Sequence, residues 1–361
     1  MVNWSRLRTS SLAVKNVASK ALDLHSYSPT GLFLTSLAVL NLLGPSAFAQ
    51  ESKPADASVE QCMAMLQSID PYPDQKDKVR AKVAVFGSTS MDALAHGWTF
   101  GFKRFHPEVK VEISAAGSEA TFAEILKNPS GVGMLSRPVK EAELEMLKKE
   151  GLKQPVAFVV AREALGVFVH PSNPVRSISG EQLRVVFTAA ENDQKPTWKL
   201  LGATGDLAAE PINVVSRTER SGTQKFLQDF VFAGSKMREG VSSHVSNAEV
   251  IKAISNAPLA IGICGLRSNH TSVRPLQLMA GASAVPSDGQ AILSGQYPLT
   301  RPLTMIVDIG QQSAEAKAAQ EFVRYGLCQA GQFQVVRVGF YPVDLPLLRA
   351  GLQKLGKVEM H

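Results

Sequence analysis

The chain has 361 residues, 45% of them hydrophobic and 19% charged, which excludes a disordered chain, a collagen-like repeat and a disulfide-dense miniprotein. The length suits about two domains, each able to bury its own core. Basic residues number 38 against 32 acidic, a formal charge of +6. The first 50 residues carry Arg6, Arg8, Lys15 and Lys20 against Asp23 alone, so the remainder is only mildly basic. That balance does not call for nucleic acid as a partner and leaves a smaller anion open.

In chain order, the first feature is a leader. Residues 32–43 read LFLTSLAVLNLL, too short to span a membrane at about twenty residues but the size of a secretory apolar region. Gly44-Pro45 breaks the run, and the small residues of Ala47-Phe48-Ala49 place cleavage after Ala49. Residues 1–49 are therefore expected to be a signal peptide and the mature protein to be exported to the periplasm. No Cys stands at the cleavage point to carry a lipid, so the mature form is not expected to be membrane-embedded. Residues 50–79 are polar, with Pro54, Pro71 and Pro73, and read as a linker holding one short helix near 58–68.

From Lys82 the pattern alternates. KVAVFGS is a buried strand by length and flanks, SMDALAHGWTFGFKRF has helical spacing, VKVEISAAG is a strand, TFAEILKN a helix and GVGML a strand. A helix over 140–150 leads to the strand PVAFVVA, and LGVFVHP is read as the next strand. Ser179 with Gln182 three residues on predicts a capped helix. INVVSR is a strand, SGTQKFLQDFVF opens a helix, SNAEVIKAISN is a helix capped by Ser246 or Asn247, and PLAIGICGL is a strand. RPLTMIVDIG, EAKAAQEFVRYGLC and PLLRAGLQKL close the chain as strand, helix and helix. The alternation is the α/β signature.

The three cysteines, Cys62, Cys264 and Cys328, allow at most one disulfide in an oxidising compartment. Cys62 falls in the flexible-looking N-terminal part, and pairing of Cys264 with Cys328 stays open. No Cys-x-x-Cys or His-x-x-x-His spacing points to a metal, and the Gly-Lys-Ser/Thr nucleotide pattern is absent. No cofactor is called for.

Three strand ends run straight into turns rich in small hydroxyl residues and then into a helix: Gly87-Ser88-Thr89-Ser90, Gly117-Ser118-Glu119-Ala120-Thr121, and Arg217-Thr218-Glu219-Arg220-Ser221-Gly222-Thr223. The first N–H groups of a helix lack internal partners and carry partial positive charge. Small residues let backbone approach an anion, hydroxyls add donors, and Arg adds a bidentate contact to a tetrahedral oxyanion. Singly such turns are ordinary caps; together they suggest one anion held by several of them.

Across residues 80–345 the chain resembles the periplasmic phosphate-binding proteins of ABC transporters, within the two-lobed solute receptors. The likeness rests on GSTSM at 87–91, AGSEATF at 116–122, SRPVKEAE at 136–143 and VFVHPSNPV at 167–175. It continues in SRTERSGTQKF at 216–226, PLAIGICGL at 258–266, QYPLTRPLTM at 296–305 and AGQFQVVRVGFYPV at 330–343. The resemblance implies two lobes, each a mixed sheet flanked by helices, with an interlobe anion cleft. Lobe 1 would comprise 80–160 and 296–361, and lobe 2 would comprise 161–295. It implies capture of inorganic phosphate, delivery to an ABC permease, and no catalysis. Carried over residue by residue, it implies Thr89, Ser90, Ser118, Ser136, Arg137, Arg217, Ser221, Gly222 and Thr223 as ligand-binding residues. The carboxylate that some members use to accept the phosphate proton has no Asp counterpart at 112–140, and Glu119 is the favoured substitute. Sulfate or molybdate, a sensory binder without a transporter, and a phosphate-ester hydrolase are the rival readings; no nucleophile with its base stands out for the last.

Overall fold

The computed structural model describes residues 57–73, 78–189, 195–266, 272–287 and 289–356. The leader and its cleavage point lie outside them. Helix α1 (Ala57–Leu66) falls inside the stretch read as a linker. It is followed by Ile69 and Tyr72, both buried with Cys62 and Leu66. Gln329 donates from Nε2 to the Leu66 carbonyl at 2.9 Å and from its backbone N–H to Asp70 at 2.9 Å. Residues 62–72 are therefore part of the packed body, because Cys62, Leu66 and Ile69 form one apolar stripe at helical spacing.

Strand β1 (Lys82–Gly87), α2 (Asp92–Phe105), β2 (Lys110–Ser114), α3 (Thr121–Lys127), β3 (Val132–Leu135) and α4 (Glu141–Lys149) follow the expected alternation. β1 pairs in parallel with both β2 and β3. Helix α2 buries Leu94, Ala95, Trp98 and Phe102, the stripe its sequence presents.

Strand β4 (Pro155–Val169) is one strand of 15 residues where the sequence suggests two. The polar pair Arg162-Glu163 interrupts the apolar run, yet partners brought from elsewhere let the strand continue through it. Then come β5 (Ser177–Ser179), α5 (Gly180–Phe187), β6 (Asn213–Arg217), α6 (Gly222–Phe226), β7 (Ser242–His244), α7 (Asn247–Ser255) and β8 (Ala260–Gly265). Ser179 and Gln182 form the predicted capping box on α5, and Ser246 caps α7. β9 (Arg274–Pro275), β10 (Gln277–Ala280), β11 (Ser283–Ala284) and α8 (Gly289–Leu293) lead to β12 (Thr300–Asp308), α9 (Ala314–Leu327), α10 (Gln329–Arg337) and α11 (Leu345–Lys354). The small sheet β11-β10-β5 escapes a sequence reading because strands of two to four residues carry no usable period.

The main sheet runs β2-β1-β3-β12-β4-β8-β6-β7, with β9 beside β4. Its two ends are parallel groups: β2, β1 and β3, then β8, β6 and β7. Between them lie β12 and β4, antiparallel to each other. Residues 155–164 of β4 pair with β12, and Leu165–Val169 pair with β8. One strand thus serves both groups, and the carboxyl ends of β1, β3 and β6 deliver their turns to the junction, where open α/β sheets bind ligands. Tyr297 marks the return, its hydroxyl donating to the Leu165 carbonyl at 2.9 Å.

Trp198 lies in the core. Cys264 and Cys328 are both buried free thiols, so the pairing left open by the sequence does not form. Burial pushes the Cys328 thiol up to about 12. Among the described residues no helix is long and apolar enough to cross a membrane.

Candidate anion-binding site

The first turn leaves β1 at Gly87, whose φ of 119° belongs to the region that favours glycine. A side chain there would strike the Met134 carbonyl and the Thr121 hydroxyl. The turn is thereby pressed against β3, and Ser88 N–H donates to Met134 at 2.9 Å. Ser88 Oγ caps the short turn over Thr89–Met91 by accepting from Ser90 N–H and donates to Ser136 Oγ at 2.9 Å. The second turn joins the first through a bond from Gly117 N–H to the Gly87 carbonyl at 2.8 Å. Ser118 Oγ accepts from Ser136 N–H at 3.1 Å and lies 3.3 Å from Ser136 Oγ. Ser88, Ser118 and Ser136 are all fully buried.

The third turn comes from the other lobe. Ser221 caps α6 by accepting from Thr223 N–H at 3.1 Å. Gly222 faces the first lobe so closely that a side chain on it would strike Ser136 Oγ and Ser118 Oγ. At the end of β6, Arg217 is 2% exposed. It donates to Asn247 Oδ1 at 2.9 Å, to the Val245 carbonyl at 2.6 Å, and to Thr89 Oγ1 at 3.1 Å. Its Nε is buried with no hydrogen-bond partner among the described residues. Burial, and then the charge of Arg301, hold the Arg217 guanidinium below the ordinary arginine value.

Arg301 and Glu163 were not predicted. They stand opposite each other on β12 and β4, and Arg301 is 0% exposed. Arg301 Nη2 donates to Glu163 Oε2 at 2.7 Å, to Thr223 Oγ1 at 2.7 Å and to Ser90 Oγ at 3.2 Å; Nη1 donates to the Ser136 carbonyl at 2.7 Å. One guanidinium on a crossover strand thus touches residues of both lobes. Glu163 Oε1 is buried with no hydrogen-bond partner among the described residues. The signal available in the sequence is charge set inside two apolar strands, Arg162-Glu163 in β4 and Arg301 in β12, since Arg and Glu are almost never fully buried unless paired.

The structure brings Thr89, Ser90, Ser118, Ser136, Arg217, Gly222 and Thr223 to this junction, with Ser221 as the cap of α6. Arg137 is engaged elsewhere. It is buried, with Nη2 and Nη1 on Glu143 at 2.8 and 3.0 Å and Nε on Glu119 at 3.1 Å. Burial works against its charge, but the two carboxylates outweigh that and hold the guanidinium above its ordinary value. Glu119 is correspondingly tied to Arg137. Arg220 and Glu219 are exposed. Among the described residues no group of His, Cys, Asp or Glu gathers where it could hold a metal ion.

Chemically, the junction has two buried guanidiniums against one carboxylate, hydroxyls from both lobes, an unsatisfied buried donor and an unsatisfied buried acceptor. Excess buried positive charge favours an anion. Orphaned buried polar atoms call for a ligand group that completes them. An oxyanion that also carries a hydroxyl would match both atoms.

Residues 73–330 match the PBP superfamily domain. The phosphate-binding protein PstS of Pseudomonas aeruginosa is 29% identical over 299 residues, covering 80% of this chain and 92% of that protein. Protein SphX of Synechococcus elongatus is 24% identical over 281 residues, 76% of this chain and 81% of its own. A Clostridium perfringens structure described as a phosphate ABC transporter substrate-binding protein with bound phosphate has TM-score 0.59 and 26% identity. It covers 73% of this chain and 100% of that one. An ABC-type phosphate transport receptor from Vibrio cholerae, at 22% identity, shares the fold with TM-score 0.58 over 72% of this chain and 99% of its own. With half the main sheet on each side of a shared strand pair and a charged junction between, the chain belongs to the PBP superfamily and has its two-lobed fold.

Proposed function

We propose that this chain captures inorganic phosphate between its lobes and delivers it to an ABC permease, without covalent chemistry. The observation that carries the reading is the pairing of buried Arg217 with buried Arg301 against the single carboxylate of Glu163, ringed by hydroxyls from both lobes. The Pseudomonas and Clostridium relatives, named for phosphate, support it. Export to the periplasm, with the leader cut after Ala49, fits this role and is tested by N-terminal sequencing of the secreted protein.

The selectivity reading shifts from Glu119 to Glu163. Near neutral pH phosphate keeps at least one proton and sulfate has none. A buried acceptor therefore accepts from phosphate and meets only lone pairs on sulfate. Glu119 spends an oxygen on Arg137, whereas Glu163 Oε1 is buried and has no partner among the described residues. Calorimetric titration with phosphate, sulfate, molybdate and a phosphate monoester tests the function. Phosphate is expected to bind at least about a hundredfold more tightly than sulfate. Equal affinity for sulfate, or tighter binding of molybdate or the ester, overturns the assignment.

A further inference from the structure

Away from the cleft, α1, α2, α9 and α10 enclose an open groove of about 960 Å³ that shares no residue with the anion site. Its walls carry Met63, Phe100 and Phe333, which are 39%, 68% and 43% exposed. The other large apolar side chains left exposed among the described residues, Val185, Leu200, Val245 and Leu347, do not line it. Apolar exposure on this face is thus gathered into the groove, where such a concentration marks a binding surface. At the floor Gly101 lets Tyr325 pack directly against α2, since a side chain there would strike the Tyr325 hydroxyl. Met63 supplies a flexible, polarizable wall that adapts to irregular apolar shapes.

Two cations complete the lining. Arg104 of α2 and Arg337 of α10 are exposed, and neither has an ion pair with another described residue. An apolar trough with guanidiniums in its lining matches a molecule with an apolar chain and an anionic head. Its volume lies within the roughly 300–1,000 Å³ of small-molecule pockets. A stable protein partner would want a broad patch, about 800 Å² on this side, and among the described residues the other exposed large apolar side chains do not line the groove.

We propose that this groove binds a free fatty-acid carboxylate, its chain against Met63, Phe100 and Phe333 and its head group beside Arg104 and Arg337. The site is independent of the phosphate reading.

The test is calorimetric titration of the purified protein with decanoate and with decan-1-ol, in saturating phosphate and without it. Decanoate is expected to bind saturably, one per chain, about tenfold or more tighter than the alcohol, because guanidinium–carboxylate contacts are charge-assisted. The double variant Arg104→Gln/Arg337→Gln should abolish that preference while still binding the alcohol. Ala64→Trp, at an exposed groove position, should fill the trough and weaken both ligands by about tenfold or more. Circular dichroism and thermal melting of each variant report that it is folded. Three results overturn the proposal: no saturable decanoate binding, equal affinity for decanoate and decan-1-ol, or a folded Ala64→Trp variant that keeps its decanoate affinity. Pull-down on phosphatidylglycerol vesicles by a protein that does not bind decanoate would equally overturn it, by assigning the face to a membrane surface.

Discussion

Arg217 and Arg220 sit three residues apart and differ in burial. Arg217 ends β6, is buried, and is aimed by Asn247, Val245 and Thr89. Arg220 is exposed in the turn. Arg217→Ala should remove a charge-assisted contact of roughly 1.5–3 kcal/mol, about 10- to 100-fold in phosphate affinity. Arg220→Ala should cost far less, and a calorimetric comparison of the two checks it. Glu163→Gln probes the acceptor. Arg301 donates to Oε2, so the variant must turn its amide oxygen there and put its NH₂ where Oε1 stood. An acceptor becomes a donor, and the preference for phosphate over sulfate should narrow. Glu119→Gln should leave it unchanged. Arg301→Met leaves Glu163 buried without its cation, which should cost about 3–5 kcal/mol in denaturant unfolding.

At the scale of elements, the lobes meet through short contacts that leave no room for larger groups. Gly222 at the start of α6 faces Ser118 and Ser136. Gly222→Val should hold the lobes apart and weaken phosphate binding, while each lobe keeps its core and its secondary structure; circular dichroism beside calorimetry separates the two effects. A second interlobe tie is the ion pair of Lys140 with Asp229 at 2.9 Å, shared with Lys225 at 3.0 Å. Partial burial works against the Asp229 charge, but the two lysines outweigh it and hold its carboxyl below the ordinary value. A depressed carboxylate contributes stability that is present above the unfolded value of about 3.9 and lost as pH falls through the lower folded value. Wild type should therefore lose its thermal advantage over Asp229→Asn only below about pH 4, as melting curves against pH would show.

For the whole molecule, the strand pair β4–β12 is both the connection and the site's floor. Lobe motion about that pair would separate Thr223 from Arg301 and Gly222 from Ser118 and Ser136, the contacts of the closed arrangement seen here. A ligand that touches both lobes binds the closed form and not the unfolded chain. Phosphate at a hundred times its dissociation constant should then add about 2.7 kcal/mol of stability, and the melting temperature should rise with phosphate concentration. Sulfate at the same concentration should leave it nearly unchanged.

Local chemistry was legible in the sequence. The alternating strand and helix pattern, the Ser179–Gln182 capping box and the hydroxyl-rich turns depend on neighbours within a few residues, and those neighbours are written side by side. Arg217 was legible for the same reason, since it shares a turn with Ser221, Gly222 and Thr223. What the tertiary structure decided involves residues far apart in the chain. Glu163 and Arg301 are 138 positions apart and become neighbours only through the antiparallel register of β4 and β12. That pairing lets β4 run unbroken through two charges that look like its end. Arg137 reads as a ligand arginine beside Ser136, yet Glu143 of α4 and Glu119 of the turn before α3 reach it only in the packed lobe. Burial, which gives these charges their weight, is a property of the assembled lobes, and no local pattern contains it.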